Sequence, residues 1–142
     1  MRSKARAKSL GEVFTPPFLV ERMLRKLPKK FFKDHKYTVL DNSCGNGNFL
    51  VEVAQWRMIN GISHEDAIST IYGVDIDMQN VVECRNRLLM GKKDKVLQKI
   101  VEHNIICADS LDPDHNGWDE VGYMWDKSRL TSRAKVKVFF DE

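Results

Sequence analysis

The segment DNSCGNGNFL at residues 41–50 decides the fold of this chain of 142 residues. It follows a β-prone run at residues 37–40 and precedes a helical pattern that begins near Leu50. Gly45 and Gly47 allow the backbone to turn tightly and to approach a ligand where a Cβ would clash. The helix that follows presents the N–H groups of its first turn to the same place. The segment therefore predicts a strand, a glycine turn and a helix, with a plain tight turn as the alternative to a ligand site.

The same order of elements repeats along the chain. Residues 70–74 and 104–108 are further β-prone runs, and helical patterns cover residues 77–90 and a turn or two around residues 96–100. Residues 135–140 alternate between apolar and polar and predict a fourth strand. Helices of this length cross over between parallel strands. The sequence therefore predicts an α/β, Rossmann-like fold with a truncated parallel sheet of about four strands and flanking helices.

Two helix starts are marked by capping residues. Thr15, followed by two prolines, is expected to cap a helix that Pro28 ends. Ser63 precedes Asp66 by three residues, which predicts a capping box and a short helix. Both helices would lie beside the sheet.

An aspartate follows each of the first three predicted strands. Because the carboxyl ends of parallel strands meet at one edge, where α/β proteins bind ligands, Asp41, Asp75 and Asp109 are expected to lie close together. The Asp75 carboxylate is placed to accept ribose hydroxyls, and Asp109 or its backbone neighbour could accept from an adenine amino group. Asp77 is expected to cap the next helix. For each acid, the alternative is a cap or turn without a ligand.

Composition and charge restrict the class of protein. Hydrophobic residues make up 42% and charged residues 30%, as in globular rather than disordered proteins, and no apolar run is long enough to span a membrane. Three cysteines without a CxxC pair indicate a reduced protein of the cytoplasm and no metal site. Residues 1–36 hold eleven Lys and Arg against three acids, a net charge of +8, whereas the remainder carries −5. This basic segment predicts contact with DNA or RNA, with a solubilising tail as the alternative.

A resemblance to a known family becomes visible when these motifs are combined. The stretch GEVFTPP at residues 11–17, a helix and the segment at residues 41–50 together resemble the N-terminal half of S-adenosylmethionine-dependent DNA methyltransferases that act on adenine N6. The leading motif of that class reads G-x-[VY]-[FY]-T-P, and the resemblance covers roughly residues 10–110. The composition of residues 1–10 indicates a basic arm. The resemblance implies a methyltransferase-like domain at residues 11–142 and DNA methylation of the kind found in restriction-modification systems.

The resemblance also implies a cofactor, S-adenosyl-L-methionine, and a set of binding residues. Asn42 stands where the family usually has a proline. The matching positions are Thr15 and Pro16 in the loop over the methionine part, Asp41, Ser43, Gly45 and Gly47 in the glycine loop, Asp75 at the ribose, Ile76 on the adenine ring, and Asp109 at the adenine amino group.

The family's catalytic tetrapeptide, Asn/Asp-Pro-Pro-Tyr/Phe, does not occur in these 142 residues. In the family it holds the flipped adenine. Residues 112–115, DPDH, lack the second proline and the aromatic residue, so the catalytic residues are unknown and methyl transfer by this chain alone is not expected. The alternatives are half of a split methyltransferase completed by a second chain or a homodimer at the sheet edge, a non-catalytic DNA-binding module, and a different enzyme on the same cofactor. An NAD-dependent oxidoreductase is less favoured, because Leu50 replaces the third fingerprint glycine.

Overall fold

Three short parallel strands form the centre of the fold. The computed structural model describes residues 16–109, and within them the sheet has the order β1-β2-β3 with both pairs parallel. The α/β class with a truncated parallel sheet is therefore confirmed, while the fourth strand predicted at residues 135–140 lies outside the described residues. The strands are β1 (Val39–Asp41), β2 (Ile71–Asp75) and β3 (Ile105–Cys107).

Helices flank this sheet in the part of the chain that the structure describes. From β1 onward, the order of strands and helices is the one that the repeated sequence pattern predicts. Right-handed crossover connections are the expected solution for parallel neighbours. The helices are α1 (Pro17–Arg25), α2 (Lys30–Lys33), α3 (Asn48–Ile59), α4 (His64–Ser69), α5 (Met78–Leu89) and α6 (Lys95–Asn104).

The predicted caps of α4 and α5 are present. The Ser63 side chain accepts a hydrogen bond from the Asp66 backbone N–H at 3.2 Å. The Asp77 carboxylate accepts from the Gln79 N–H at 3.0 Å, as expected for a helix N-cap. These two caps fix where the helices on either side of β2 begin.

Other helix boundaries differ from the prediction. Pro16, rather than Thr15, occupies the N-cap position of α1, because its carbonyl accepts from the N–H groups of Leu19 and Val20. Thr15 itself lies outside the described residues. The helix ends at Arg25, before Pro28, and α2 was not predicted at all. Helix α6 has ten residues rather than a turn or two, and it is capped by the carboxylate of Asp94.

The larger hydrophobic core lies between the sheet and helices α1, α3, α5 and α6. The predicted stripe on α5 is buried as expected, and a smaller cluster made of Leu40, Tyr72 and Val74 lies on the strands. The core therefore holds the strands and helices in fixed positions around the carboxyl ends of β1 and β2. Its members include Val20, Leu24, Leu50, Val53, Ala54, Ile71, Val81, Cys84, Leu88, Ile100 and Ile105.

A fully buried arginine ties together the segments that precede β1 and β2. Arg57, on α3, has no exposed surface, and burial lowers its pKa to about 10, so it stays charged at neutral pH. Each of its acceptors is an oxygen, and three of the four are backbone carbonyls that burial would otherwise leave unsatisfied. The acceptors are the carbonyls of Phe31 (3.1 Å), Tyr37 (2.6 Å) and Ala67 (2.9 Å) and the hydroxyl of Thr70 (2.9 Å).

Within residues 16–109, every helix is too short or too polar to cross a membrane.

Candidate functional site

The loop between β1 and α3 is hydrogen-bonded to β1 and to the neighbouring strand β2. The Asp41 carboxylate at the end of β1 accepts a hydrogen bond from the Ser43 N–H at 3.1 Å. The Cys44 N–H donates to the carbonyl of Val74 on β2 at 2.9 Å. The loop therefore has a defined position above the carboxyl ends of β1 and β2.

The glycines of this loop adopt conformations that other residues rarely take. Gly45 and Gly47 have φ values of 54° and 91°, in the left-handed region. A Cβ on Gly47 would lie 2.8 Å from Cys84 Sγ on α5, and one on Gly73 of β2 would lie 2.9 Å from Leu50 Cδ1. Gly47 is thus required by the packing of the chain itself. The close approach to a ligand that the sequence suggested stays a prediction.

Asp75, at the end of β2, joins the loop, the strand and helix α5. Its Oδ1 accepts from the Gly45 N–H at 3.1 Å, and its Oδ2 accepts from the Asp77 N–H at 3.1 Å and from Asn80 Nδ2 at 2.8 Å. Its side chain is buried, and its backbone carbonyl accepts from the Ala108 N–H at 3.0 Å. Since a carboxylate offers about four acceptor positions, these three side-chain contacts leave room for about one further donor.

Asp41 is a buried carboxyl group whose ionisation is disfavoured. Burial raises its pKa from 3.8 to about 6; the hydrogen bond from Ser43 lowers it, and the negative charge of Asp75 raises it. Its protonation therefore changes near neutral pH. A cation that approached both carboxylates would favour the charged form of Asp41.

The thiols near this edge are held in their protonated forms. A hydrogen bond with Cys84 and burial raise the pKa of the Cys44 thiol well above its ordinary value. Burial raises the pKa of Cys107, and the charges of Asp75 and Asp77 add to the shift. Both thiols are therefore poor nucleophiles, and Cys44 is also a buried packing residue.

Two further predicted positions follow the ends of β2 and β3. Ile76 is 69% exposed, although it directly follows the buried Asp75. Its carbonyl accepts a hydrogen bond from Cys107 Sγ at 3.4 Å, which links the ends of β2 and β3. Asp109 lies two residues beyond β3 and is partly exposed. An exposed apolar side chain thus lies at the same sheet edge as the two buried carboxylates.

The structure brings some of the predicted site residues together and not others. Hydrogen bonds place Ser43 against Asp41 and Gly45 against Asp75, and Gly47 packs on α5 beside them. The contacts of Pro16 lie within α1, so its part in a ligand site stays a prediction, as does that of Thr15.

Two residues of α5 were missed by sequence reasoning. Asn80 is fully buried and occupies the same helical face as Cys84 and Leu88, four and eight residues further on. A polar residue on an apolar stripe was the available signal. Arg87 donates to the carbonyl of Asn46 at 3.1 Å and to Asn48 Oδ1 at 2.6 Å, and it thereby fastens the outer side of the glycine loop. Its position carried no recognisable pattern.

A cavity of about 510 Å³ lies away from this site. It opens between α1, α2 and the far end of α3, and its lining includes Phe32, Trp56, Lys29 and Lys33. Trp56 is two turns along α3 from the glycine loop, about 12 Å. Among residues 16–109, no group of three or more His, Cys, Asp or Glu is arranged to hold a metal ion.

A comparison with protein families matches residues 1–124 to the N-6 DNA Methylase family. The chain belongs to the N-6 DNA methylase family. The resemblance drawn from residues 11–17 and 41–50 is thereby confirmed. DNA methylases of this family generally use S-adenosylmethionine as methyl donor. A comparison with curated proteins finds no match.

Proposed function

We propose that this chain binds S-adenosylmethionine across the carboxyl ends of β1, β2 and β3 and is the cofactor-binding part of a DNA adenine-N6 methylating unit. The observation that carries the proposal is the contact between Gly45 and Asp75, beside the buried Asp41. It joins the glycine loop to the strand-end acid that the family resemblance assigns to the ribose. The match to the N-6 DNA methylase family supports the same chemistry.

The groups at this edge suit the parts of the cofactor. Asp75 has about one acceptor position left, enough for one ribose hydroxyl without displacing an internal donor. Ile76 offers exposed apolar surface for an adenine ring, and Asp109 an acceptor for its amino group. The raised pKa of Asp41 marks a carboxylate that the ammonium group of the amino-acid end would stabilise in its charged form. The bound cofactor would supply an electrophilic methyl group, and the chain's own residues would bind and orient it.

The chain is proposed as the cofactor-binding part because the adenine-binding tetrapeptide is absent from its 142 residues. Transfer of labelled methyl to unmodified DNA by this chain alone is therefore expected to be undetectable. We propose that residues outside these 142, such as a second chain that pairs with the sheet edge, supply the missing signature. Addition of such a chain should restore transfer. The free thiols Cys44, Cys84 and Cys107 support a reducing compartment such as the cytoplasm.

Calorimetric titration with S-adenosylhomocysteine tests the binding. The unchanged chain is expected to bind, and Asp75→Ala to bind at least about tenfold more weakly, since one charge-assisted hydrogen bond contributes about 1.4 kcal/mol or more. Asp94→Ala is the control, because the Asp94 carboxylate also accepts hydrogen bonds from backbone N–H groups but bonds only to α6. No heat at millimolar ligand, or equal affinities for the parent and Asp75→Ala, would contradict the proposal.

A second proposal, contact with DNA, rests on the charge of α1, α2 and the loops beside them. Residues 16–36 hold seven Lys and Arg against two acids, and all seven basic residues are exposed. A surface of this kind binds phosphates and releases counterions. In this proposal the cavity beside Lys29 and Lys33 lies on the DNA-facing side.

The salt dependence of DNA binding measures this contribution. Replacing Lys26, Lys29 and Lys33 with Ala should reduce the slope of log affinity against log salt by about 0.9 for each phosphate that is no longer neutralised. The control replaces the exposed Lys92, Lys93 and Lys95, near the start of α6. Equal reductions in the two triple variants would rule out a specific role for α1 and α2. An affinity unchanged by S-adenosylhomocysteine would favour a non-catalytic DNA-binding module.

A further inference from the structure

Asn80 is a fully buried amide in the first turn of α5, on the stripe that also carries Cys84 and Leu88. A buried amide group without a hydrogen-bond partner would destabilise the fold, so the partner of the Asn80 Nδ2 group indicates the role of this residue. The Nδ2 group donates to Asp75 Oδ2 at 2.8 Å, the shortest of the three contacts to that carboxylate. Asn80 is therefore directed at the acid that the proposed function assigns to the ribose.

The comparison with Asn104, at the end of α6, separates this arrangement from an ordinary structural asparagine. Asn104 is also buried, but its Nδ2 donates to the backbone carbonyl of Ser69 at 3.0 Å and reaches that of Ile68 at 3.5 Å. Those bonds join two elements of the fold. The bond of Asn80 instead reaches a side chain whose rotation decides where its acceptor positions point.

The three donors to Asp75 differ in what holds them. The N–H groups of Gly45 and Asp77 are backbone groups, fixed by the glycine loop and by the start of α5. Asn80 is a side chain, fixed by the core around it. The terminal torsion of an aspartate is broad, so one donor on Oδ2 would not hold the carboxylate as firmly as two.

We propose that Asn80 is a positioning residue for the ribose of the cofactor. It holds the Asp75 carboxylate in the orientation in which the remaining acceptor position is available to a ribose hydroxyl. This assignment rests on the proposed function, in which the cofactor binds at Asp75. Without the Asn80 bond, the carboxylate rotates and the hydroxyl loses a fixed partner. Affinity for the nucleoside then falls, and so does the ability to distinguish ribose from deoxyribose.

Equilibrium binding by the full chain tests this assignment. The probes are S-adenosylhomocysteine and its 2′-deoxy and 3′-deoxy analogues, and the variant is Asn80→Leu, which keeps a similar volume and removes the donor. We expect the parent to bind S-adenosylhomocysteine about tenfold more tightly than whichever of the two deoxy analogues it binds more weakly. This ratio is the preference for ribose. In Asn80→Leu, affinity for S-adenosylhomocysteine should fall about tenfold and the preference to about twofold. Asn104→Leu should unfold more easily than the parent and keep the parent's preference.

A measurement without ligand gives an independent readout. If Asn80 orients Asp75, the amide resonances of Gly45 and Asp77 should shift in Asn80→Leu, because both amides donate to that carboxylate. Should Asn80→Leu not fold, Asn80→Ser replaces it in both measurements, since serine keeps a polar group but is too short to reach Asp75. The same shift and the same loss of preference are expected.

The outcomes of these measurements distinguish failure of the role proposed for Asn80 from failure of the proposed cofactor site. If the parent binds S-adenosylhomocysteine and the variant keeps the full preference for ribose, the assignment of Asn80 is overturned while the cofactor site stands. Unshifted Gly45 and Asp77 amides overturn it as well. If the parent binds no S-adenosylhomocysteine, the proposed function fails and this assignment fails with it.

Discussion

Asp41 shows how a single carboxyl group can weaken the fold in which it lies. Its pKa is raised to about 6 in the folded chain by burial and by the charge of Asp75. Between pH 3.8 and 6, the folded state binds a proton that the unfolded state releases. The free energy of unfolding therefore falls as the pH rises through this window and stays lower above it.

We predict that Asp41→Asn stabilises the chain at pH 8 and has little effect near pH 4. The amide oxygen can still accept from Ser43, but it carries no charge to desolvate. A shift of about two pKa units corresponds to at most roughly 3 kcal/mol. Urea unfolding of both proteins at the two pH values measures the difference. A variant that is no more stable than the parent at pH 8 would contradict the raised pKa.

The stability cost of replacing Gly47 has two parts, one from its left-handed backbone and one from its packing against α5, and the two can be measured separately. Gly61 has a similar φ, 94°, but a Cβ there would meet nothing within 4 Å, whereas one on Gly47 would lie 2.8 Å from Cys84 Sγ. Gly61→Ala should therefore cost only the left-handed conformation, about 1–2 kcal/mol. Gly47→Ala should cost about 1–3 kcal/mol more, because α5 must move.

Adding Cys84→Ala to Gly47→Ala checks this explanation. Removal of the sulfur should recover part of the additional loss, which thermal or urea unfolding of the double variant would measure. Equal losses for the two glycine variants, or no recovery in the double variant, would show that packing against α5 is unimportant.

Arg57 acts between elements, because its guanidinium bonds to Ala67 within α4 and to the residues that lead into β1 and β2. Arg57→Met would leave one buried and two partly buried carbonyls without this donor, so we predict a loss of at least about 3 kcal/mol in the free energy of unfolding. Arg22→Met, at an exposed position of α1, should change stability by less than about 0.5 kcal/mol. Urea unfolding compares the two. Similar small losses would mean that water replaces the guanidinium.

The strands and the long helices could be predicted because their signals are local. Local signals place α3, α4, α5 and β2 to within about two residues. These signals are turn residues, caps such as Ser63 and Asp77, and apolar stripes. The extent of α6 could not be predicted, since six of its ten residues are polar. The partners of Arg57 depend on contacts between distant segments, which no local pattern encodes.

The candidate site likewise has a part that could be predicted from the sequence and a part that only the folded structure shows. The family resemblance and the strand ends gave Asp41, Gly45 and Asp75, which the structure does connect. The sequence could not reveal that the Asp75 carboxylate is largely occupied by internal donors, nor that Arg87 fastens the glycine loop from outside. Those features arise only when α5 packs beside the loop.

Across the whole folded unit, buried charges of opposite sign lie at opposite ends of the strands. Arg57 is placed before β1 and β2, and the Asp41 and Asp75 carboxylates are placed after them. Desolvation strengthens the field of such groups compared with exposed ones. The carboxyl edge is consequently the electronegative end of the described sheet.

A polyanion and this edge repel one another until a positive charge lies between them. On the proposed function, the ammonium and sulfonium groups of the methyl donor provide that charge. On the proposed function, the small molecule therefore enters first, and the nucleic acid approaches a rim whose negative charge it has partly neutralised.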